Sequence, residues 1–257
     1  MSKNDKLKVV AVVGPTGSGK TELASKIAER YQGVIISADS RQVYKGLDIG
    51  TNKEGRPDQY MDKPSRVLGD NNVQQFLVDV VEPGETFTLN DWLALAREEV
   101  DKIFEEDKLP VITGGTGLYT TALLEGYQPG EGRFSKKKGS VGFESLVLMP
   151  KVEREALYKK SDKRCEKLFD KILAETKKML DSGVNPDWFI RIGLDYKYAA
   201  LNLTNEISYN QALDELKKAS RNYIRRQLTW WRHHQRVVLV KDKEEAFVQI
   251  DKFLLVG

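Results

Sequence analysis

An α/β fold, with a parallel sheet flanked by helices and a mostly helical C-terminal part, is predicted by three observations in this 257-residue chain. Short β-branched runs such as Lys8–Val13 (KVVAVV) are apolar without alternation, the pattern of strands buried on both faces. These runs alternate with segments of helical spacing, which argues for crossover connections and parallel pairing. After Pro150 apolar runs become rare and helical periodicity takes over.

The elements follow in order. Lys8–Val13 is the first strand, Gly14–Lys20 a loop, and Thr21–Tyr31 a helix with Leu23, Ala24, Ile27 and Ala28 on one face. Val34–Ser37 (VIIS) is a second strand. Phe76–Val81 (FLVDVV) is a third, closed by Glu82-Pro83-Gly84. Asn90–Phe104 has helical spacing through Leu93, Ala96, Val100 and Phe104, and Pro110–Thr113 is a strand running into Gly114-Gly115. Gln128–Ser140 (QPGEGRFSKKKGS) is nearly free of apolar residues and is expected to be a loop or linker. Glu144–Met149 is a further strand. Helices are predicted over Val152–Leu157, Asp162–Leu180, Trp188–Leu201 and Ser208–His234, with Val237–Val240 as a last strand. There is no internal repeat. The expected division is a core at 1–126, a linker at 127–143, and the rest of the core, mostly helical, at 144–257.

Composition excludes several classes. At 40% hydrophobic residues the chain can bury a sizeable core, so wholesale disorder is ruled out. The single Cys165 excludes an intramolecular disulfide and a cysteine-rich zinc site, and suits the reducing cytoplasm, the expected location. His233 and His234 are adjacent, and adjacent helical positions do not converge on one metal. No apolar run approaches the ~18 residues of a membrane span, so no membrane association is expected. Val9–Val13 is too short for a secretory core and runs directly into a glycine-rich motif, so no targeting signal is expected. The net charge of +3 is unevenly spread: residues 151–257 hold 22 Lys+Arg against 16 Asp+Glu, leaving the first part acidic. That asymmetry fits a polyanionic partner for the second half, and fits ordinary solvated charge equally well.

One motif narrows the chemistry. Gly14-Pro15-Thr16-Gly17-Ser18-Gly19-Lys20-Thr21 matches G-x-x-x-x-G-K-[ST], the P-loop, with a strand before it and a helix after it. Its glycines let backbone N–H groups wrap a phosphate chain, and the following helix adds its positive end. Lys20 can reach the outer phosphate and the Thr21 hydroxyl can ligate Mg²⁺. The sheet is therefore expected to be of the P-loop type, binding a di- or triphosphate or a pyrophosphate-bearing substrate. Phosphoryl transfer would want an acidic residue ending a neighbouring strand, and both Asp39 and Asp79 qualify. The strand at Val111-Ile112 instead ends in Gly-Gly-Thr, a poor set of metal ligands but suited to close approach by a diphosphate.

Gly14–Thr21 and the following run from Ser37 to Thr51 (SADSRQVYKGLDIGT) closely resemble the opening of tRNA dimethylallyltransferases. Gly114–Tyr119 (GGTGLY), continuing to Ala122–Gly126, is similar to that family's third block, and Asp79–Pro83 stands where the family has an Asp…Asp/Glu-Pro turn. Glu206-Ile207-Ser208 and Ser220–Trp230 (SRNYIRRQLTW) resemble its C-terminal signature. The resemblance implies transfer of a dimethylallyl group from dimethylallyl diphosphate to N6 of an adenosine beside the anticodon, releasing pyrophosphate. It implies Asp39 as acceptor of the amine proton. It implies Thr116 and Arg221, with Lys20, the P-loop amides and Mg²⁺ at Thr21, as the groups around the leaving pyrophosphate. Ser40, Arg41 and Gln42 match positions near the target base.

The family usually carries a helical insertion after the third block that grips the tRNA anticodon stem-loop. Here Gly126 and Lys151 are joined only by the linker and one strand, and Gln74-Gln75 stand where the family has a His pair. Lys136-Lys137-Lys138 in the linker suit either a phosphate contact or a solvated loop. The helix Ser208–His234 supplies the expected RNA contact. At roughly 100° per residue, Lys217, Lys218, Arg221, Arg225 and Arg232 share an arc, with Ala212, Leu216, Ala219, Tyr223 and Trp230 opposite as a core face. Residues 217–236 hold seven Lys and Arg and no acid, so Lys218, Arg225 and Arg226 are expected against RNA phosphates. The partners expected are thus a tRNA anticodon stem-loop and dimethylallyl diphosphate, bound by a monomer. A prenyltransferase acting on free adenine nucleotides, a P-loop nucleoside or nucleotide kinase, and a non-catalytic RNA-binding module are the alternatives.

Overall fold

In the computed structural model, residues 7–128, 139–234 and 236–255 are described. β1 (Leu7–Val13), β2 (Gly33–Ser37), β3 (Arg56–Pro57), β4 (Ser65–Leu68), β5 (Val73–Phe76), β6 (Leu109–Gly114), β7 (Phe143–Pro150) and β8 (Val237–Val240) form one sheet. Their spatial order is β3-β4-β5-β2-β6-β1-β7-β8. From β5 to β8 every pairing is parallel; β4 and β3 then close the β5 side antiparallel. The helices are α1 (Lys20–Arg30), α2 (Leu89–Glu105), α3 (Gly117–Leu124), α4 (Arg154–Asp181), α5 (Pro186–Ile192), α6 (Leu194–Leu203), α7 (Tyr209–Arg232) and α8 (Lys243–Leu255).

The unbroken apolarity of β1 has a direct cause. Val10 and Val12 enter one core with Leu23 and Ile27 of α1 and Ile250 of α8. Val9, Ala11 and Val13 enter the other, built from α2 to α7 with Trp92, Phe169, Phe189 and Trp231. A strand covered on both faces has no polar side to show. Val13 pairs with Gly114 and Ser37 with Thr113, so β1, β6 and β2 end level with one another. Their carboxyl ends carry the P-loop, the Gly114–Thr116 turn and Asp39, which places all three blocks at one rim.

Several predicted elements are corrected. The strand expected over Phe76–Val81 is Val73–Phe76 and stops there. Leu77 and Asp79 adopt φ of 60° and 55°, left-handed values that end an extended run. Beyond them Val80 and Val81 donate to the Val43 carbonyl rather than continuing the sheet. The helices expected at Val152–Leu157 and Asp162–Leu180 are one continuous α4 of 28 residues. The helix expected at Trp188–Leu201 is broken into α5 and α6 by Gly193, at φ 79°. The core face of α7 is Ala212, Leu216, Ile224, Gln227 and Trp231, rotated from the expected set, so Trp230 lies outside it. The β3–β4 edge, α3 and α8 had no strong periodic signal. Lys136-Lys137-Lys138 and most of the expected linker lie outside the described residues; the chain that follows re-enters as β7 beside β1. Among the described residues no helix is long and apolar enough to cross a membrane.

Candidate active site

The P-loop owes its curvature to glycine. Gly14, Gly17 and Gly19 sit at φ 139°, 83° and 84°, values that side-chain-bearing residues rarely adopt. Ser18 N donates to Pro15 O at 3.2 Å, closing the turn, and a Cβ on Gly14 would meet Ser18 Oγ at 3.1 Å. Thr16, Gly17, Gly19, Lys20 and Thr21 line a cleft of about 420 Å³, while Gly14, Pro15 and Ser18 shape the loop behind them. The first N–H groups of α1 point from this end, where an anion is favoured.

Asp39 and Gln42 line the same cleft. Asp39 follows directly on β2, and its Oδ1 accepts from Arg41 N at 2.9 Å, which fixes the carboxylate. Asp79, the other acidic candidate, is committed elsewhere. Lys53, whose side chain is fully buried, and Arg66 hold its two oxygens at 2.5 and 2.7 Å, and Arg66 also bridges to Asp48. Gln42 is held between the Ser37 hydroxyl at 2.8 Å and Thr51 O at 3.2 Å. Arg41 lines an adjoining small cavity, with its Nε donating to Ile192 O and its guanidinium over the Tyr223 ring. Thr116 caps the start of α3; its Oγ1 accepts from Ser40 N at 3.0 Å and lies 3.3 Å from Ser40 Oγ.

Two buried contacts hold these blocks together. A Cβ on Gly114 would fall 2.1 Å from Ala38 O, so β2 and β6 approach this closely only with glycine there. Gln227, buried on α7, accepts from Thr16 N at 3.0 Å and donates to Gly115 O at 2.8 Å. One amide side chain thereby ties the P-loop to the Gly-Gly-Thr turn, beside Asp39 Oδ2. Gln227→Leu is expected to destabilise the fold by about 1–3 kcal/mol for each group left unpaired. A lowered urea midpoint, together with weaker pyrophosphate binding, is the measurement.

The wall opposite the P-loop comes from α4. Lys160, Arg164 and Lys167, spaced by four and three residues on one helix face, line the cleft with Ser161 and Leu168. Lys160 Nζ donates to Gly17 O at 3.1 Å. Arg164 is anchored by Asp195 at 2.9 Å and by the carbonyls of Ile49 and Gly50. From the same helix, Glu175 accepts from Asp48 N and Ile49 N at 2.8 and 3.0 Å and from the Tyr196 hydroxyl at 2.5 Å. This clamp presents Thr51 and Asn52 to the cleft. Burial and the neighbouring Glu175 charge push the Tyr196 phenol well above its ordinary range, so it remains a donor.

Within the cleft, burial pulls the Lys20 ammonium below its usual value, while the negative charges of Asp39 and Glu54 oppose that shift. Burial raises the Glu54 carboxyl, helped by Glu22 and opposed by Lys20. Glu54, Asn52, Gln227 and the α4 cations were missed in the sequence. The α4 set had a readable signal in its helical spacing, whereas Gln227 and Glu54 had none beyond polarity.

The remaining predicted residues stand apart from the cleft. Arg221 bridges to Asp162, with Nε to Oδ1 at 2.9 Å, and does not line it. Lys218 is exposed and pairs with Glu215, and Lys217 pairs with Glu166. Arg225 and Arg226 lie at a second surface with Thr229, Trp230, His233 and His234.

Comparison with known proteins adds to this geometry. A family model described as IPP transferase matches residues 42–140 and 131–234, two segments that meet within the linker. A tRNA dimethylallyltransferase of Streptococcus agalactiae is 30% identical over 294 residues, with 95% of each chain covered. One from Streptococcus pneumoniae is 29% identical over 304 residues, covering 97% of this chain and 99% of that protein. Both alignments are longer than this chain, so those proteins carry residues that it lacks. The crystal structure of the full-length tRNA isopentenylpyrophosphate transferase of Bacillus halodurans superposes with a TM-score of 0.81 at 26% identity, covering 97% and 96% of the two chains. That of Staphylococcus epidermidis, at 23% identity and covering 97% and 99%, gives 0.80 and shares the fold.

Proposed function

Because this chain belongs to the IPP transferase family, we propose that it transfers a dimethylallyl group from dimethylallyl diphosphate to N6 of the adenosine adjacent to the anticodon of tRNA, releasing pyrophosphate. It is an enzyme of prenyl transfer and its substrate is tRNA. The observation that carries this assignment is one cleft with a phosphate cradle on one side and a fixed carboxylate, Asp39, on the other. A P-loop kinase would also place an acid at such a strand end; the family to which the chain belongs favours prenyl transfer.

The residues divide the work as follows. The N6 lone pair forms a C–N bond to C1 of the dimethylallyl group as the C1–O bond to diphosphate breaks. The N6 proton passes to the Asp39 carboxylate. Negative charge gathering on the departing pyrophosphate meets the P-loop N–H groups, Lys20 and the α4 cations Lys160 and Arg164. Gln227 keeps the cradle and the acceptor at fixed separation, so little reorganisation is needed as the bond breaks.

Mg²⁺ fits the donor set. Among the described residues no three His, Cys, Asp or Glu side chains converge into a protein-only cage. Mg²⁺ instead keeps waters and substrate oxygens and needs few protein ligands. The Thr21 hydroxyl would hold it in the cleft, which Glu22 and Glu54 also line. There it would neutralise charge on the diphosphate. Thr21→Ala is expected to raise the Mg²⁺ concentration for half-maximal pyrophosphate binding, measured by calorimetry across a Mg²⁺ series.

The chain is proposed to act as a monomer in the cytoplasm, a setting its buried free thiol, Cys165, suits. Size exclusion at the 29.2 kDa monomer mass would support the first point. The function itself is tested by mass spectrometry of an anticodon stem-loop incubated with dimethylallyl diphosphate, beside AMP, ADP and ATP. A dimethylallyl mass on the stem-loop adenosine is expected. Modification of free nucleotide alone would make this a cytokinin-type enzyme instead.

A further inference from the structure

Trp230 and Trp231 are neighbours with opposite fates. Trp231 is 2% exposed and belongs to the core, whereas Trp230 is 41% exposed. Nothing in helical packing requires a large aromatic ring on that exposed position. The ring is nevertheless held firmly. Its pyrrole side packs on the backbone of Gly117, where a Cβ would fall 2.6 Å from the indole. Its Nε1 donates to Thr121 Oγ1 at 3.2 Å. The rest of the ring faces an open cavity of about 580 Å³ shared with Arg225, Arg226 and His233.

The charge along this stretch of α7 is one-sided, and the nearby acid Glu125 stands 3.2 Å from His234 at the edge of the cavity. No Asp or Glu occurs between Lys217 and Arg236. Lys217, Lys218 and Arg221 are neutralised by Glu166, Glu215 and Asp162. Arg225 and Arg226 carry no ion pair among the described residues, and Arg226 lies over the Tyr223 ring at 5.5 Å. An exposed aromatic face flanked by unpaired arginines is complementary to a base with its phosphates.

Its position limits which base. A Cβ on Gly115 would lie 3.3 Å from Asp39 Oδ2, and the one on Gly117 would touch Trp230. Two residues of chain span at most ~7 Å. With the two contact distances included, the ring lies within ~13 Å of the Asp39 carboxylate, within reach of a nucleotide near a base held there.

We propose that Trp230 is a stacking shelf for an unpaired RNA base next to the acceptor adenosine, with Arg225 and Arg226 on its phosphates. This rests on the tRNA reading and deepens it: the enzyme senses the single-stranded neighbourhood of its target as well as the adenosine. Without a large RNA-gripping insertion, such a shelf supplies affinity near the reacting base.

The test combines Trp230→Leu, which keeps apolar packing without a π-face, and Trp230→Phe, which restores one. Stem-loops are made with an abasic site at either nucleotide flanking the acceptor. The leucine variant should raise the Michaelis constant for intact RNA roughly 10- to 100-fold, with phenylalanine recovering most of the loss and the donor constant unchanged. An abasic site at one flank should cost wild type as much, and cost the leucine variant nothing further. Wild-type indole fluorescence should be quenched by single-stranded RNA without donor, and the quench should vanish in Trp230→Phe. Independent, multiplying losses, an unchanged Michaelis constant in Trp230→Leu, or an identical quench in wild type and Trp230→Phe would each overturn the shelf. Absence of any product from wild type with intact stem-loop would count instead against the transferase assignment, because the quench is read without transfer.

Discussion

Replacing Asp39 with alanine is expected to lower dimethylallyl transfer by about 10²–10⁴-fold while pyrophosphate still binds. The separation follows from the site. Asp39 is oriented by Arg41 N, at the end of β2 and beside Gly115, whereas the phosphate cradle belongs to the P-loop and α4. Removing the carboxylate takes away the acceptor of the N6 proton and leaves the cradle intact. It also removes a negative charge that supports the Lys20 ammonium but repels pyrophosphate, and because these effects oppose each other pyrophosphate affinity changes little. Single-turnover rates with stem-loop, set against calorimetric pyrophosphate titration, give both numbers. If pyrophosphate binding collapses together with its Mg²⁺ dependence, Asp39 is a metal ligand rather than a base.

Lys20→Ala should act on the other half of the site. Lys20 is the P-loop cation, sharing the cleft with Asp39 and Glu54, and it meets the charge that grows on the leaving group. Loss of one preorganised donor to such a charge costs about 10²–10³ in rate. The loss should appear in donor kcat/KM and in pyrophosphate affinity, with stem-loop affinity measured without donor unchanged. Lys160 and Arg164 line the same cleft, so part of the binding survives. Near-wild-type kinetics in this variant would remove the P-loop from the reaction.

The large parts of the fold were legible because their signals are local. Val9–Val13 is apolar at every position since both faces of β1 are covered, and the P-loop is a contiguous string whose glycines each meet a backbone demand. Where two neighbouring left-handed residues ended a strand at Phe76, the apolar run Leu77–Val81 gave no warning, because Leu and Asp at positive φ have no sequence signature. The rotated face of α7 was misjudged for a related reason. Trp230 and Trp231 are chemically identical, and only packing against α3 and the core decides which of them is buried.

The sequence by itself determined the α/β class, the phosphate-binding loop, the candidate proton acceptor and the family likeness, all of which reside in short contiguous patterns. Only the tertiary structure decided which charges meet. Asp39 and Asp79 both follow apolar residues, yet one lines the cleft and the other is neutralised by Lys53 and Arg66. Arg221 is bound to Asp162, while Lys160, Arg164 and Lys167 reach the phosphate cradle because α4 runs unbroken across it. Gln227, distant in the chain from both groups it joins, locks the P-loop to Gly115. Periodicity reports which face of an element is buried; the partner across that face is set by strand order, register and helix placement, which no local pattern encodes.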